Sequence, residues 1–321
     1  MKKVLVTGGA GFIGSHLIDS LLADQVEVAV IDNFDPYYDR SIKENNRKEH
    51  LLHSGYSLFE ADIRDRDEMD ALIAQIQPDA IVHLAARAGV RPSLQSPYDY
   101  TQVNITGTVN LLDAAVKYGV SKFVFGSSSS VYGLNDQVPF SETDPTLQIA
   151  SPYGATKAAG EALCHSYSNC FKLPIVALRF FTVYGPRQRP DLAIHSFAKK
   201  IRNNEPISLF GDGTTSRDYT YVADIVSGIR GALSFELDSY EVFNLGNDQP
   251  TSLMQLVKTL EEAIGKEALI EWKPPQVGDV PRTWANIEKA RRLLGYNPET
   301  DFKTGIGRFA AWLEEQSKQL V

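Results

Sequence analysis

Thr7-Gly8-Gly9-Ala10-Gly11-Phe12-Ile13-Gly14 stands between the apolar run Val4-Leu5-Val6 and a helical pattern. Gly9, Gly11 and Gly14 satisfy the spacing G-x-G-x-x-G, and Gly8, Gly11 and Gly14 satisfy the wider G-x-x-G-x-x-G. A Cβ at these positions would block a tight turn and keep a pyrophosphate away from the backbone, while the helix N-terminus supplies N–H donors. The stretch, Phe12 and Ile13 included, predicts the phosphate-binding turn of a dinucleotide site.

An acidic residue stands where such a site requires one. Asp32 ends the second apolar run, 18 residues after Gly14, close to the spacing of about 20 residues for an acid that binds the adenosine ribose. Its carboxylate would accept hydrogen bonds from both ribose hydroxyls and repel a 2′-phosphate. Asn33 and Phe34 follow it rather than an arginine. The sequence therefore favours NAD over NADP, and we include Asn33 in the cofactor site.

The first half of the chain alternates short apolar runs with amphipathic stretches. Strands are predicted around residues 4–6, 28–31, 80–82, 123–125 and 175–178, and helices over 12–24, 66–76, 94–118 and 151–171. Continuous apolar strands separated by helices are typical of a parallel sheet covered on both faces. We predict an α/β fold with a Rossmann-type doubly wound parallel sheet in residues 1–178. Residues 179–321 are expected to form a smaller α/β substrate domain, with segments around 220–246 packing back on the first domain.

Two later strand ends are candidates for the same crevice. Asp62-Ile63 could cap the adenine, and the small side chains of Leu84-Ala85-Ala86 would let the backbone pass close to the dinucleotide. For Ala85 and Ala86, ordinary packing explains the sequence equally well.

Catalytic groups are predicted around a serine run and a tyrosine–lysine pair. Ser127-Ser128-Ser129-Ser130 follows the predicted strand 123–125, and Tyr153 stands four residues before Lys157. That spacing places both side chains on one helix face. A free phenol has a pKa of about 10, so a base near neutral pH needs a neighbouring ammonium and the positive nicotinamide ring. We predict Tyr153 as the base, Lys157 as its support, and Ser128 as a hydrogen-bond partner of the same substrate oxygen.

Composition limits the class of protein. The chain has 321 residues, of which 43% are hydrophobic and 22% charged, and a formal net charge of −8. This charge disfavours nucleic-acid binding, and no apolar run approaches the ~18 residues of a membrane span. The two cysteines do not suggest a disulfide, and the histidines suggest no metal site. We expect a cytoplasmic protein without a bound metal.

Together the glycine motif, Leu84-Ala85-Ala86, Ser-Ser-Val-Tyr-Gly at 129–133 and Tyr-x-x-x-Lys resemble the extended short-chain dehydrogenase/reductase family of nucleotide-sugar epimerases and dehydratases. The resemblance runs nearly end to end. It implies catalytic roles for Ser128, Tyr153 and Lys157, and it implies that Asn104 supports the cofactor site. It also implies a homodimer in which helices 94–118 and 151–171 pair with those of a second subunit.

The segment from Phe180 to Asp191 resembles the signature of UDP-glucuronate 4-epimerases, as do Ala88–Ser93, which contains Arg91, and Gln276–Pro281. A uronate carries a carboxylate that an arginine fork can bind, and Arg189 is the candidate, assisted by Thr182 and the serines at 127–129. The family pattern implies that Arg217 and Arg282 reach the UDP phosphates and that the strand Ser208-Leu209-Phe210 lies along uridine. A surface role remains open for Arg189 and for Arg282.

The resulting hypothesis is NAD-dependent C4 epimerisation of UDP-glucuronate to UDP-galacturonate through a 4-keto intermediate. Dehydratases and the uronate decarboxylase of this family place an acid just after the catalytic Ser or Thr, whereas this chain has Ser129 and Ser130. A 4-epimerase of UDP-glucose or UDP-N-acetylglucosamine is the nearest alternative, and a UDP-glucuronate decarboxylase is a weaker one. A non-catalytic NAD-binding regulator would keep the fold without needing Ser128, Tyr153 and Lys157 together.

Overall fold

A computed structural model describes residues 1–276 and 278–319. Val277, within the Gln276–Pro281 segment, lies outside the described residues. The strands are β1 Lys3–Thr7, β2 Glu27–Ile31, β3 Tyr56–Phe59, β4 Ala80–His83, β5 Lys122–Ser128, β6 Ile175–Phe180, β7 Thr182–Tyr184, β8 Ile207–Phe210, β9 Ser216–Tyr221, β10 Tyr240–Leu245, β11 Pro250–Ser252 and β12 Ile270–Lys273.

Helices cover both faces of the largest sheet and alternate with strands in the second half of the chain. They are α1 Phe12–Ala23, α2 Arg40–Asn46, α3 Arg66–Ile76, α4 Val90–Gln95, α5 Pro97–Thr101, α6 Gly107–Lys117, α7 Pro152–Phe171, α8 Ala193–Arg202, α9 Val222–Ser234, α10 Leu253–Ile264, α11 Glu288–Leu294 and α12 Phe302–Gln319. Short 3₁₀ helices lie at His50–Leu52 and Ser129–Tyr132, and a π-helical turn lies at Gln102–Thr106.

The central sheet has seven strands in the order β10-β6-β5-β4-β1-β2-β3, and all its neighbours pair in parallel. The predicted Rossmann-type parallel sheet is confirmed. Strand β10 comes from the second half of the chain and pairs with β6 from Tyr240 opposite Ile175 to Leu245 opposite Phe180. The chain therefore crosses back to the first sheet after leaving it.

Alternate residues of the central strands point to opposite faces, and each face is covered. Val4 and Val6 belong to one buried cluster with α1 and α9, whereas Leu5 belongs to a second cluster with α3, α6 and α7. A third cluster joins α8, α10 and α12 to β8 and β9. This two-sided burial explains why the strands read as continuous apolar runs.

One predicted helix and two strands needed correction. Residues 94–118 are not a single helix: α4 ends at Gln95, α5 begins at Pro97, and a π-helical turn separates α5 from α6. Pro97 has no N–H to donate to a preceding turn, and it takes the first position of a new helix instead. The apolar runs did not identify β3 or β10, because both lie at sheet edges and are only partly buried.

No helix within the described residues combines the length and apolarity that a membrane crossing requires.

Candidate active site

The main cleft lies at the carboxyl edge of the parallel sheet, where β1, β2, β4, β5 and β6 all end. Its volume is about 810 Å³, and its walls come from both halves of the chain. Parallel sheets bind ligands at this edge, because the loops after neighbouring strands diverge there. Most of the predicted cofactor and substrate residues line this cleft: Gly8, Gly11, Phe12, Ile13, Gly14, Asp32, Asn33, Asp62, Ile63, Leu84, Ala85, Ala86, Arg91, Ser127, Ser128, Ser129, Tyr153, Lys157, Thr182, Arg189, Ser208, Phe210 and Arg217.

The glycine turn forms a cradle that side chains would fill. Gly8 has a φ of +71°, and a Cβ there would lie 2.8 Å from the backbone nitrogen of Ala85. A Cβ on Gly14 would lie 2.4 Å from the carbonyl oxygen of Gly8. Helix α1 begins at Phe12 and directs its N-terminus into the cleft wall. These residues fit a dinucleotide pyrophosphate, because the backbone is bare and the helix end attracts anions.

The cradle also holds the acid expected at the ribose. Asp32 is 5% exposed; it accepts hydrogen bonds from the backbone N–H groups of Ala10 at 3.1 Å and Phe34 at 2.9 Å. Its Oδ1 also lies 3.1 Å from the Nζ of Lys43 on α2. The two side chains compensate each other's charge in a buried place, and both line the same cleft.

Asn33 and Asp62 form the neighbouring wall of the cofactor half. The Asn33 amide donates to Asp62 Oδ2 at 2.9 Å. Burial alone would raise the pKa of Asp62, but hydrogen bonds from Arg64 and Asn33 outweigh it and lower this pKa to about 2. The pair presents polar groups at the position predicted for adenine.

Ser128, Tyr153 and Lys157 come together at the ends of β5 and α7. Ser151 caps α7 by accepting a hydrogen bond from Gly154 N at 3.1 Å, and this places Tyr153 in the first turn with Lys157 one turn later. The Lys157 Nζ donates to the Gly126 carbonyl at 2.6 Å. Helix α7 approaches β5 closely at Gly160, where a Cβ would meet the Phe125 ring at 2.4 Å.

Burial disfavours the Lys157 ammonium and the Tyr153 phenolate, the two charged forms that the predicted proton transfer needs. Burial lowers the pKa of Lys157 from 10.5 to about 8. Burial also raises the pKa of Tyr153, while the Ser128 hydroxyl and the positive charge of Arg189 act in the opposite direction. The site therefore favours a neutral phenol until further positive charge enters it.

The substrate half of the cleft is rich in arginine. Arg189 lies in its wall with Thr182 and with Ser128–Ser130 at the end of β5, which we call the serine loop. Arg91 donates to Asp279 at 2.8 Å, and its guanidinium carbon lies 4.8 Å from the Phe210 ring centre. Arg217 donates to the carbonyl of Ser216 at 2.8 Å, and burial and the charge of Arg91 lower its pKa. Arg91 and Arg217 together have only Asp279 as a nearby acid among the contacts described above. The remaining positive charge suits a diphosphate.

Two predicted residues do not line the cleft, and a third directs its hydroxyl away from it. Asn104 is buried, and its amide holds the Arg87 backbone, accepting from N at 2.8 Å and donating to O at 2.9 Å. Arg282 is exposed and bridges its backbone to Ser216. The Ser127 hydroxyl donates to Glu161 at 2.5 Å, so it supports the serine loop from behind.

Sequence reasoning missed several charged and aromatic residues in and behind this site. Lys43, Tyr37, Tyr38 and Asp191 line the cleft, and Arg179 pairs with Glu161 behind β5 at 2.8 Å. From the sequence, the polar Asp35–Lys48 stretch is expected to be a solvated loop or short helix that could border the cofactor, but nothing in it separates the buried Lys43 from its exposed neighbours. A signal did exist for Asp191, since it belongs to the same Arg-Pro-Asp segment as Arg189.

A parallel sheet with a glycine cradle at β1, an acid at the end of β2 and a Ser-Tyr-Lys cluster defines an extended short-chain dehydrogenase/reductase. The family model described as GDP-mannose 4,6 dehydratase matches residues 5–309. The chain belongs to that family.

Relatives and solved structures show which members of the family this chain is similar to. UDP-glucuronate 4-epimerase 2 of Arabidopsis thaliana is 43% identical over 99% of this chain and 77% of its own length. The crystal structure of UDP-glucuronic acid 4-epimerase from Bacillus cereus, in complex with UDP-glucuronic acid and NAD, has a TM-score of 0.92 and 38% identity, with 98% of this chain and 99% of that chain covered. A UDP-glucose 4-epimerase from Thermotoga maritima, solved with UDP-glucose, has a TM-score of 0.88 and 33% identity, with the same coverage.

Proposed function

We propose that this protein is an NAD-dependent nucleotide-sugar 4-epimerase that interconverts UDP-glucuronate and UDP-galacturonate. The observation that carries the proposal is the place of Arg189, which lines the same cleft as Tyr153, Ser128 and Thr182. A cation beside the catalytic phenol suits a sugar with a carboxylate at C5, next to the reacting C4. The Arabidopsis relative and the Bacillus complex carry the name of this activity.

The cofactor half of the cleft fits NAD. The bare glycine turn receives the pyrophosphate, Asp32 and Lys43 meet the adenosine ribose, and Asn33, Asp62 and Ile63 border the adenine. Leu84, Ala85 and Ala86 line the dinucleotide's path. Asn104 acts through the Arg87 backbone that it holds.

Bound NAD supplies a hydride acceptor and donor for C4 of the sugar, together with a positive ring charge beside Tyr153. Tyr153 takes the proton from the C4 hydroxyl, and Ser128 hydrogen-bonds the same oxygen. Lys157, held by the Gly126 carbonyl, stabilises the phenolate. The 4-keto sugar then turns over and is reduced on its other face, while Tyr153 returns the proton; no net redox change results.

The carboxylate must be controlled during that turnover. A 4-keto uronate is a β-keto acid: its bond to the carboxylate can break, CO₂ leaves, and the electron pair forms an enolate that takes a proton at C5. This cleavage is fastest when the bond lies parallel to the ketone π orbitals. Arg189, with Thr182 and the serine loop, would hold the carboxylate out of that alignment, because an arginine fork fixes both position and plane.

Two other outcomes of the same oxidation are disfavoured. Elimination of water or directed decarboxylation in this family uses an acid after the catalytic Ser or Thr, and Ser129 and Ser130 stand there. A neutral-sugar epimerase would be expected to share Ser128, Tyr153 and Lys157, and the Thermotoga UDP-glucose 4-epimerase is similar to this chain in fold at 33% identity. For a neutral sugar, however, the half-buried Arg189 would have no carboxylate of the hexose to bind.

The function is tested by incubating purified protein with UDP-glucuronate, without added NAD, and separating the products. We expect UDP-galacturonate to form until the two sugars reach equilibrium. Faster conversion of UDP-glucose than of UDP-glucuronate would replace the uronate assignment with the neutral-sugar one.

Arg189→Ala tests the carboxylate contact. Loss of a charge-assisted contact costs about 2–4 kcal/mol, or roughly 30- to 1000-fold in kcat/KM for UDP-glucuronate. The remaining turnover should give a larger share of UDP-pentose, because the carboxylate is no longer held. Unchanged kcat/KM in this variant would remove Arg189 from the substrate site.

Tyr153→Phe tests the base. The variant should keep its fold and NAD binding, since only a hydroxyl is lost, and kcat should fall by several orders of magnitude. Circular dichroism and bound-nucleotide measurements provide the controls. A kcat near that of the wild type would exclude Tyr153 as the base.

The remaining assignments belong to the same proposal. Arg91, Arg217, Ser208 and Phe210 would contact UDP, with Arg282 in a supporting place at the Ser216 backbone. Residues 1–178 form the NAD-binding domain and 179–321 the substrate domain, apart from the segments that return to the first sheet.

The proposed protein is a homodimer that pairs through residues 94–118 and 151–171. Its location is proposed to be cytoplasmic, and the exposed free thiol at Cys170 fits that location.

A further inference from the structure

Arg189 has a carboxylate partner of its own. Its Nε donates to Asp191 Oδ1 at 3.0 Å and its Nη2 donates to Oδ2 at 2.8 Å. The two side chains lie two residues apart in sequence and remain 16% and 33% exposed. Parallel hydrogen bonds of this kind fix the plane of a guanidinium as well as its position.

A second side chain reaches this pair from the cofactor half. Tyr37 stands in the loop between Asp32 and α2, and its hydroxyl donates to Asp191 Oδ2 at 3.3 Å. Its ring centre lies 5.2 Å from the Arg189 guanidinium carbon. Asp191 is thus held from one side by Tyr37, while the ring supports the cation.

The arrangement leaves one end of the guanidinium available. Arginine has five N–H donors; Nε and Nη2 serve Asp191, and Nη2 also approaches the Ala88 carbonyl at 3.5 Å. Among the residues that the structure describes, the Nη1 of Arg189 donates to none. A substrate carboxylate can therefore bind at Nη1 without displacing Asp191.

We propose that Asp191, held by Tyr37, is a positioning residue that fixes the plane of Arg189 so that the free end of its guanidinium controls the carboxylate of the sugar. The proposal deepens the epimerase assignment above and rests on it. It differs from a binding role: Asp191 cancels much of the charge of Arg189, so it cannot increase attraction for a uronate. Its contribution is to orientation, and it should appear in the fate of the 4-keto sugar rather than in substrate affinity.

Asp191→Asn separates these roles, because the amide keeps the size of the side chain but cannot accept from both guanidinium nitrogens. With UDP-glucuronate we expect kcat to fall about 10-fold, while KM stays the same or decreases, since Arg189 becomes a less compensated cation. The fraction of product that has lost CO₂ should rise, measured as UDP-pentose plus its 4-keto form. Tyr37→Phe keeps the ring and loses one hydrogen bond, so it should change the product ratio in the same direction by a smaller factor.

Asp24→Asn is the matched control. It breaks another aspartate–arginine pair, with Arg230, on the surface away from the cleft, and it should match the wild type in kcat and product ratio. If kcat falls in Asp191→Asn with an unchanged product ratio, Asp191 is only structural and the inference is wrong; a several-fold rise in KM would likewise show a binding role. Should Asp191→Asn fail to fold, an unchanged product ratio in Tyr37→Phe would overturn the inference. A wild type inactive on UDP-glucuronate would instead refute the proposed function itself.

Discussion

At the scale of single residues, the site combines groups whose charged states are disfavoured until the ligands are bound. Lys157 and Tyr153 both lose hydration on burial. This lowers the pKa of Lys157 and raises the pKa of Tyr153, so the neutral form of each side chain is favoured. The positive nicotinamide ring and Arg189 supply charge that favours the phenolate. In the proposed mechanism, proton transfer by this pair therefore depends on the occupied cleft and is limited in the absence of substrate.

Lys157 gives a testable dependence of stability on pH. Its pKa is about 8 when folded and 10.5 when unfolded, so between these values the unfolded chain holds more protons and stability rises with pH. Below pH 8 the full penalty of burying the ammonium is present, on the order of 3 kcal/mol. We expect the free energy of unfolding of the wild type to increase relative to Lys157→Met as the pH rises from 8 to 10.5, with both proteins free of NAD. Urea denaturation measures it, and parallel curves for the two proteins would contradict it.

At the scale of elements, the serine loop after β5 depends on a buried ion pair behind it. Glu161 on α7 accepts from Arg179 on β6 at 2.9 and 2.8 Å and from Ser127 on β5 at 2.5 Å. Arg179 also donates to Tyr132 in the 3₁₀ turn at 2.9 Å. One carboxylate thereby ties the helix that carries Tyr153 to the strand that carries Ser128.

Glu161→Gln should be strongly destabilising, because it leaves the Arg179 guanidinium buried without its counter-charge. Breaking one side of a buried pair costs about 3–5 kcal/mol. Chemical denaturation of the variant measures the cost. Glu262→Gln, which breaks an exposed pair with Lys303, is the control, and it should cost at most about 1 kcal/mol. Equal small losses in the two variants would show that the Glu161 pair is not structurally important.

At the scale of the whole molecule, the outer face of α7 is open and contains small side chains. Ala155, Ala162 and Cys170 are exposed on it, and Tyr98 on the neighbouring α5 is 72% exposed. Small residues let another helix approach closely, and a two-fold axis would bring the same face of a second copy against it. This is the surface that the proposed homodimer would bury.

Ala162→Arg should weaken that dimer, because a long charged side chain would enter the helix–helix contact. Sedimentation velocity at several concentrations measures the assembly. Ala311→Arg on the exposed side of α12 is the matched control and should sediment like the wild type. A wild type that stays monomeric at all concentrations would refute the dimer.

The sequence alone predicted the Rossmann-type sheet, NAD as the cofactor, and Ser128, Tyr153 and Lys157 as the proposed catalytic trio. Each rests on local rules: glycines at a strand–helix turn, an acid at a fixed distance from them, and a spacing of four on a helix. It also indicated Arg189 through its neighbours in the chain. These features involve residues close in sequence, where backbone geometry leaves few alternatives.

Only the tertiary structure decided which groups face the cleft and which support it. Lys43 on α2 meets Asp32, which directly follows β2, and Ser127 donates to Glu161 because β5 lies beside α7. Asp191 and Tyr37, 154 residues apart, meet at Arg189. Asn104 and Arg282 lie outside the cleft because their contacts are with the Arg87 backbone and the Ser216 backbone, respectively. The partner of a polar side chain depends on the packing of distant elements, and no pattern within a single segment contains that information.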